Sequence, residues 1–207
     1  KAQHESYVDK FHQGDAAHKE LARKSAGWGS ECYQGDHDKE SMADFVIHQT
    51  IQSLQDSFSA GQESGAHNPI WLTEGMAFYF TKLIKESAVW TCVDLAGTGS
   101  GGPKASKDPK DWPFIIRTFL KEGKDPDVRA VMNCVNYAEF DPHEAVKSWS
   151  LIDFLIAEQR EKFIQFCQHL RTAKDNGEES LREIFKWSLE DLDSRWRAYA
   201  KQAYAGQ

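Results

Sequence analysis

Three stretches of this sequence hold residue types that could do chemistry. Asp44, His48 and Gln52 follow one another at four-residue intervals, the spacing that stacks side chains on one ridge of a helix. A carboxylate and an imidazole on one ridge can ligate a divalent cation, although this spacing also arises by accident. His67 lies close enough along the chain to reach the same place. The second stretch, His143-Glu144, opens an HExxx string whose fifth position is Lys147. A zinc-binding helix needs a second His there, and a lysine cation would repel the metal. Asp141-Pro142-His143-Glu144 fits instead a helix start, with Glu144 reaching back as the capping partner. The third stretch is the run Gly97-Thr98-Gly99-Ser100-Gly101-Gly102-Pro103-Lys104. A phosphate loop needs Gly-Lys-Ser/Thr between a strand and a helix. Pro103 interrupts that order and a polar segment follows, so the run reads as a flexible loop.

The elements that must hold these residues are mostly helices. A short polar helix is expected at 15–25, then a loop at 27–38 carrying Trp28, Cys32 and Tyr33. Residues 41–58 read as a helix with Ile47, Ile51, Leu54 and Phe58 as its buried stripe. Asn68-Pro69 reads as an N-cap followed by proline at the first helical position. The helix after it runs to about residue 87, with Met76, Tyr79, Phe80, Leu83 and Ile84 on one side. Residues 88–95 are β-branched and suit an extended segment, and 97–113 form a long loop. Helices follow at 113–121, at 127–134, and from Asp141 onward with Val146, Trp149, Leu151, Phe154 and Leu155 inward. That helical pattern continues over 161–174 through Phe163, Phe166, Cys167 and Leu170, with a short helix at 181–187. Ser188 and Asp191 form a second capping box, opening a last helix through Trp196 and Tyr199. The expected class is mainly α, with an α+β variant allowed by at most a small sheet. One domain spanning 1–207 is the economical reading.

Composition sets outer bounds. The 207 residues carry 25 Lys+Arg against 32 Asp+Glu, a net charge of −7. That balance argues against nucleic-acid binding, which needs a basic face. Seven Trp, six Tyr and 12 Phe imply a packed core rather than disorder. The longest apolar runs are far too short for a membrane span. The chain starts at Lys1, which reads as a processed or truncated form. Cys32, Cys92, Cys134 and Cys167 contain no CxxC pair, so a zinc knuckle is not expected. They read as separate thiols with Cys167 in a helix core, or as one Cys92–Cys134 disulfide plus two thiols. His4, His12, His18, His37 and His169 stand among charged neighbours and read as surface.

One pair of segments carries a family resemblance. His48-Gln49-Thr50-Ile51-Gln52 is followed by Pro69-Ile70-Trp71-Leu72-Thr73-Glu74-Gly75-Met76-Ala77-Phe78-Tyr79. The second segment resembles the gluzincin metallopeptidases of the peptidase-MA-like group. These carry HExxH, a loop, and then P-x-W-L-x-E-G-x-A-x-Y on the next helix. Pro69, Trp71, Leu72, Glu74, Gly75, Ala77 and Tyr79 fall in place. The first segment keeps the position and the leading His only. The 148–155 and 184–196 stretches resemble the group's C-terminal helices. The resemblance covers residue 41 to the end, with the N-terminal part trimmed or divergent.

The resemblance implies a zincin-like helical domain in which two His and a Glu from the neighbouring helix hold zinc. It also implies that the motif Glu takes a proton from zinc-bound water. Here Gln49 stands at the general-base position, and a carboxamide has no useful proton affinity near neutral pH. Gln52 stands at the second His position and offers only a weak neutral oxygen. His48 and Glu74 remain as the matching metal ligands, and they are expected to pair with each other. The implied function is a pseudopeptidase that binds a peptide or protein in the former cleft, lined by His48, Gln49, Gln52, Trp71 and Glu74. Two alternatives stay open. One is a zinc hydrolase with atypical ligands, with Asp44 or His67 assisting His48 and Glu74. The other is a structural helical domain of a larger exported protein. The resemblance further implies a secreted or periplasmic location.

Overall fold

The computed structural model describes residues 39–59, 69–85, 112–135, 139–170, 173 and 175–205. Among these residues are seven helices and no strand: α1 (Lys39–Ser59), α2 (Ile70–Lys85), α3 (Trp112–Glu122), α4 (Val128–Asn133), α5 (Pro142–Leu170), α6 (Glu178–Phe185) and α7 (Leu189–Ala203). The mainly α class expected from the periodicity is the class observed. The segments at 15–38, 86–111 and 60–68 lie outside the described residues, as do the extended segment, the Gly-rich loop and His67.

Local chemistry sets where the helices begin. Asp141 Oδ1 accepts from the Glu144 amide at 2.9 Å, and Glu144 Oε2 accepts from the Asp141 amide at 3.0 Å. The same reciprocal box opens α7: Ser188 Oγ accepts from the Asp191 amide and the Asp191 carboxylate accepts from the Ser188 amide. Each box satisfies amides that a helix start leaves without partners. Asp127 caps α4 in the same way, accepting from the amides of Arg129 and Ala130. α2 starts one residue later than the Asn-Pro spacing suggests: the Pro69 carbonyl accepts from the amides of Leu72 and Thr73. The two helical segments expected after Asp141 are both present and join end to end within α5 at a kink, Gln159, whose backbone is not helical (φ −141°, ψ 35°). No Pro or Gly announces that bend in the sequence.

α2 runs between α1 and α5, and its first half is buried nearly all round. Gly75 faces α5. A methyl group there would stand 2.8 Å from both the Ser148 carbonyl oxygen and Ile152 Cγ1, so glycine lets the two backbones approach. Behind this contact lies the core, with Trp71, Phe78, Ile116, Ile152, Phe166 and Trp196 nearly or fully enclosed. The α5 residues expected inward, Val146, Trp149, Leu151, Phe154 and Leu155, are all there.

Two expected stripes are corrected. On α2, Met76, Tyr79 and Phe80 are half-buried, while Leu83 and Ile84 are 65% and 62% exposed. On α1, Ile47 and Ile51 are only half-buried and Leu54 is 52% exposed; the Phe58 side chain lies outside the described residues. Among the α1 side chains whose burial is described, the buried ones are Asp44 and His48. α1 therefore meets α2 through a polar ridge, because α2 presents hydrogen-bonding partners on that side.

A second buried charge lies where α5 meets α7. Lys147, fully enclosed, donates to Asp125 Oδ2 at 2.8 Å, Asp193 Oδ1 at 2.9 Å and the Pro126 carbonyl at 2.6 Å. Its ammonium lies 4.2 Å above the Trp196 ring. Arg197 joins the same two carboxylates. Three acceptors and a ring face replace the hydration shell that burial removes.

Candidate functional site

The ridge of α1 and the facing side of α2 meet in one hydrogen-bonded cluster. His48 Nε2 lies 3.1 Å from Glu74 Oε2. Gln52 Nε2 donates to Glu74 Oε1 at 2.6 Å and lies 3.1 Å from His48 Nε2. Gln49 Nε2 donates to Gln52 Oε1 at 3.0 Å. Further along, Gln55 donates to the Thr73 carbonyl, and at the other end Lys85 pairs with Asp44 at 3.3 Å. The early end of α1 thus meets the late end of α2, and the pair is antiparallel. His48 and Glu74 are 2% and 1% exposed, whereas Gln49 and Gln52 are half-buried. The His48 ring also stands edge-on to Phe78, with centroids 4.7 Å apart.

The polarity of the cluster follows from its acceptors. A carboxylate can only accept, so the Gln52 group facing Glu74 must be the NH₂. Its oxygen is then turned to receive the Gln49 amide. The remaining contact joins an imidazole nitrogen to a carboxylate oxygen, and it needs one proton between them. Whichever atom carries that proton, it takes the single in-plane site of His48 Nε2, so His48 and Glu74 form one proton-sharing unit while the Gln52 amide is hydrogen-bonded to Glu74 and only in contact with His48.

Among the described residues this donor set falls short of a catalytic zinc site. Tetrahedral zinc with bonds of about 2.0–2.2 Å asks for at least three N, O or S ligands converging on an open centre. Here the third corner is an amide nitrogen, which donates hydrogens and has no lone pair to offer. Asp44, the candidate helper, lies one turn away and is committed to Lys85. Among the described residues no three His, Cys, Asp or Glu side chains come together as a metal-holding group. No carboxylate stands at position 49 to serve as a base.

Trp71, expected in the cleft, sits apart from this cluster. It is 1% exposed, its indole donates to the Asn176 carbonyl at 3.2 Å, and it packs against Phe166. α2 has α1 on one flank and α5 on another, so residues three apart serve different neighbours. His67 and Cys92 lie outside the described residues, and with Cys92 the expected disulfide to Cys134. Cys134 and Cys167 are half-buried.

One polar joint escapes sequence reasoning. His169, read as surface, is half-buried, with Nδ1 2.9 Å from Ser180 Oγ, which donates to Asp175 Oδ2 at 3.0 Å. The serine has one hydrogen and Asp175 takes it, so His169 Nδ1–H is the donor. Ser180 is fully enclosed and sits between its partners, the reverse of a nucleophilic triad in which His is central. It ties the turn between α5 and α6. Only the three-dimensional path of that turn brings these residues together.

Comparison with family models, curated proteins and solved structures finds no match.

Proposed function

We propose that this chain is a metallopeptidase-like domain without the peptidase: a pseudopeptidase that binds a peptide or protein segment along the α1–α2 seam. One observation carries the reading. The positions that in a gluzincin would hold zinc and its base are filled here by two carboxamides bonded to each other and to the His48–Glu74 unit. A carboxamide keeps the shape of Glu and offers both a donor and an acceptor, the complement of a peptide group. Gln49 and Gln52 are the half-exposed members of the cluster, so they are the ones an extended ligand would meet.

The test is binding of a randomised peptide library by the full chain in the presence of a chelator, with Gln49→Ala as the comparison. Selective retention of a peptide class that Gln49→Ala weakens supports the reading. Retention indifferent to Gln49 and Gln52 would sink the binding half of it. The structural-domain alternative has its own support, because His48, Glu74 and Trp71 are almost wholly enclosed. The atypical zinc-hydrolase alternative is disfavoured by the Asp44–Lys85 pair. A secreted or periplasmic setting belongs to the same proposal and rests on the resemblance alone.

A further inference from the structure

Away from the His48–Glu74 cluster, four oxidisable rings stand in series. Trp112 meets Trp149 at 5.5 Å between centroids, Trp149 stacks on Tyr204 at 5.6 Å, and Tyr204 meets Tyr199 at 6.0 Å. The first three are 2–4% exposed, and Tyr199 is half-buried. The series therefore leads from the core outward.

The hydroxyls of both tyrosines converge on one carboxylate. Tyr204 donates to Asp153 Oδ2 at 2.7 Å and Tyr199 to the same oxygen at 2.9 Å. The hydrogens are all assigned. Trp196 Nε1 donates to Ser150 Oγ at 2.9 Å, and Ser150, 3.0 Å from the Tyr204 hydroxyl, must donate to it because that hydroxyl's own hydrogen goes to Asp153. Burial, reinforced by the Asp153 charge, pushes both phenols well above the usual tyrosine range. Neither phenol loses its proton alone under ordinary conditions. It can lose the proton together with an electron, because an acceptor base is already hydrogen-bonded to it.

We propose that Trp112, Trp149, Tyr204 and Tyr199 form a relay that carries oxidising equivalents out of the core, with Asp153 as its proton acceptor. The initiating species is a one-electron radical oxidant, which takes an electron from Trp112; Trp149 gives Trp112 an electron in its place and is left as a radical cation. Tyr204 returns that electron; its O–H bond breaks and the proton bonds to Asp153 Oδ2. The products are neutral Trp149, a neutral Tyr204 phenoxyl and a protonated Asp153. Tyr199 then reduces the Tyr204 phenoxyl, which regains the proton held on Asp153, while the Tyr199 proton takes its place there. A dissolved thiol gives its hydrogen atom to the Tyr199 phenoxyl, and Asp153 releases its proton to water. The relay is independent of the peptide-binding proposal.

Pulse radiolysis of the full chain with azidyl radical as the oxidant tests it. The expected result is a tryptophanyl signal that converts to a tyrosyl signal in a first-order step independent of protein concentration. Tyr199→Phe with Tyr204→Phe keeps both rings and removes both hydroxyls, so the tyrosyl signal from this step disappears. Asp153→Asn keeps the shape and removes the base, and the conversion slows by roughly tenfold or more. A purely structural role for Asp153 would move melting but not this rate in a protein that remains folded. A tyrosyl signal that is absent from the parent, or that grows equally fast in the double variant, would overturn the relay.

Discussion

Replacing Glu74 by alanine removes the one acceptor on which the α1–α2 cluster depends. His48 and Gln52 would then hold donors directed at a space where no oxygen remains. Each buried donor left unmade costs about 1–3 kcal/mol, and breaking a buried pair by deleting one partner costs about 3–5 kcal/mol. With His48 at 2% and Glu74 at 1% exposure, the loss belongs toward that upper range, about 3–5 kcal/mol. Against a total stability of about 5–15 kcal/mol, that is a large fraction. Glu74→Gln is the contrasting change. Its oxygen still accepts from Gln52, its NH₂ can donate to a neutral His48 Nε2, and its cost should be about 1 kcal/mol. The assay is urea unfolding followed by tryptophan fluorescence, with the midpoint compared at constant slope. Zinc and a chelator, added separately, should leave the midpoint of the parent protein unmoved, since a bound metal would stabilise the native state by mass action. The reasoning is refuted if Glu74→Ala unfolds within about 0.5 kcal/mol of the parent, the range of an ordinary surface substitution.

Gly75→Ala places a methyl group against an immovable carbonyl; overpacking of about 1–3 kcal/mol should outweigh the helix-propensity gain of about 1 kcal/mol, read as a lower melting temperature. Lys147→Ala leaves the enclosed side of Asp125 without its ammonium, with Arg197 as the remaining partner of both carboxylates, and should cost about 3–5 kcal/mol in urea, whereas Lys147→Met paired with Asp125→Leu should cost much less. Acid titration has a definite sign at Asp193. Burial pushes its carboxyl up, but hydrogen bonds from Arg197 and Lys147 outweigh this and hold it below the usual range. Its contribution is therefore complete above the unfolded value of about 3.9 and lost as pH falls through the lower folded value, measurable as a midpoint that drops in acid. At the alkaline end the sign reverses: the raised phenol of Tyr204 contributes stability present below the unfolded value of about 10 and lost as pH rises toward the higher folded value. Its phenolate absorbance should appear together with unfolding rather than before it.

The helices and their starts were legible because the signals are local. Asp141 with Glu144, and Ser188 with Asp191, announce themselves within four residues, and the apolar spacing of α5 is answered by burial. The orientation of α1 was not legible. Ile47, Ile51 and Leu54 have the spacing of a core stripe, yet Asp44, His48, Gln52 and Gln55 face α2. A polar ridge can be buried only if its partners exist, and those partners, Glu74, Thr73 and Lys85, lie on another helix. Lys147 repeats the lesson, since nothing beside it in sequence foretells Asp125 and Asp193. The nearness of His48, Gln49, Gln52 and Glu74 was expected from the resemblance, and the geometry brings those four together. Trp71 was expected in that group as part of the W-L-x-E-G segment, and its indole instead meets Asn176 and Phe166.

Metal content and cleavage, measured together on the full chain, test the central claim most directly. The protein is dialysed against equimolar zinc at neutral pH, its bound zinc is counted, and a mixed peptide library is monitored for hydrolysis. The account predicts far less than one zinc per chain and no cleavage above buffer. Gln49→Glu with Gln52→His, restoring a carboxylate base and an imidazole ligand, should raise zinc binding toward one. Stoichiometric zinc in the parent, lost in both His48→Ala and Glu74→Ala and accompanied by peptide hydrolysis, would contradict the account.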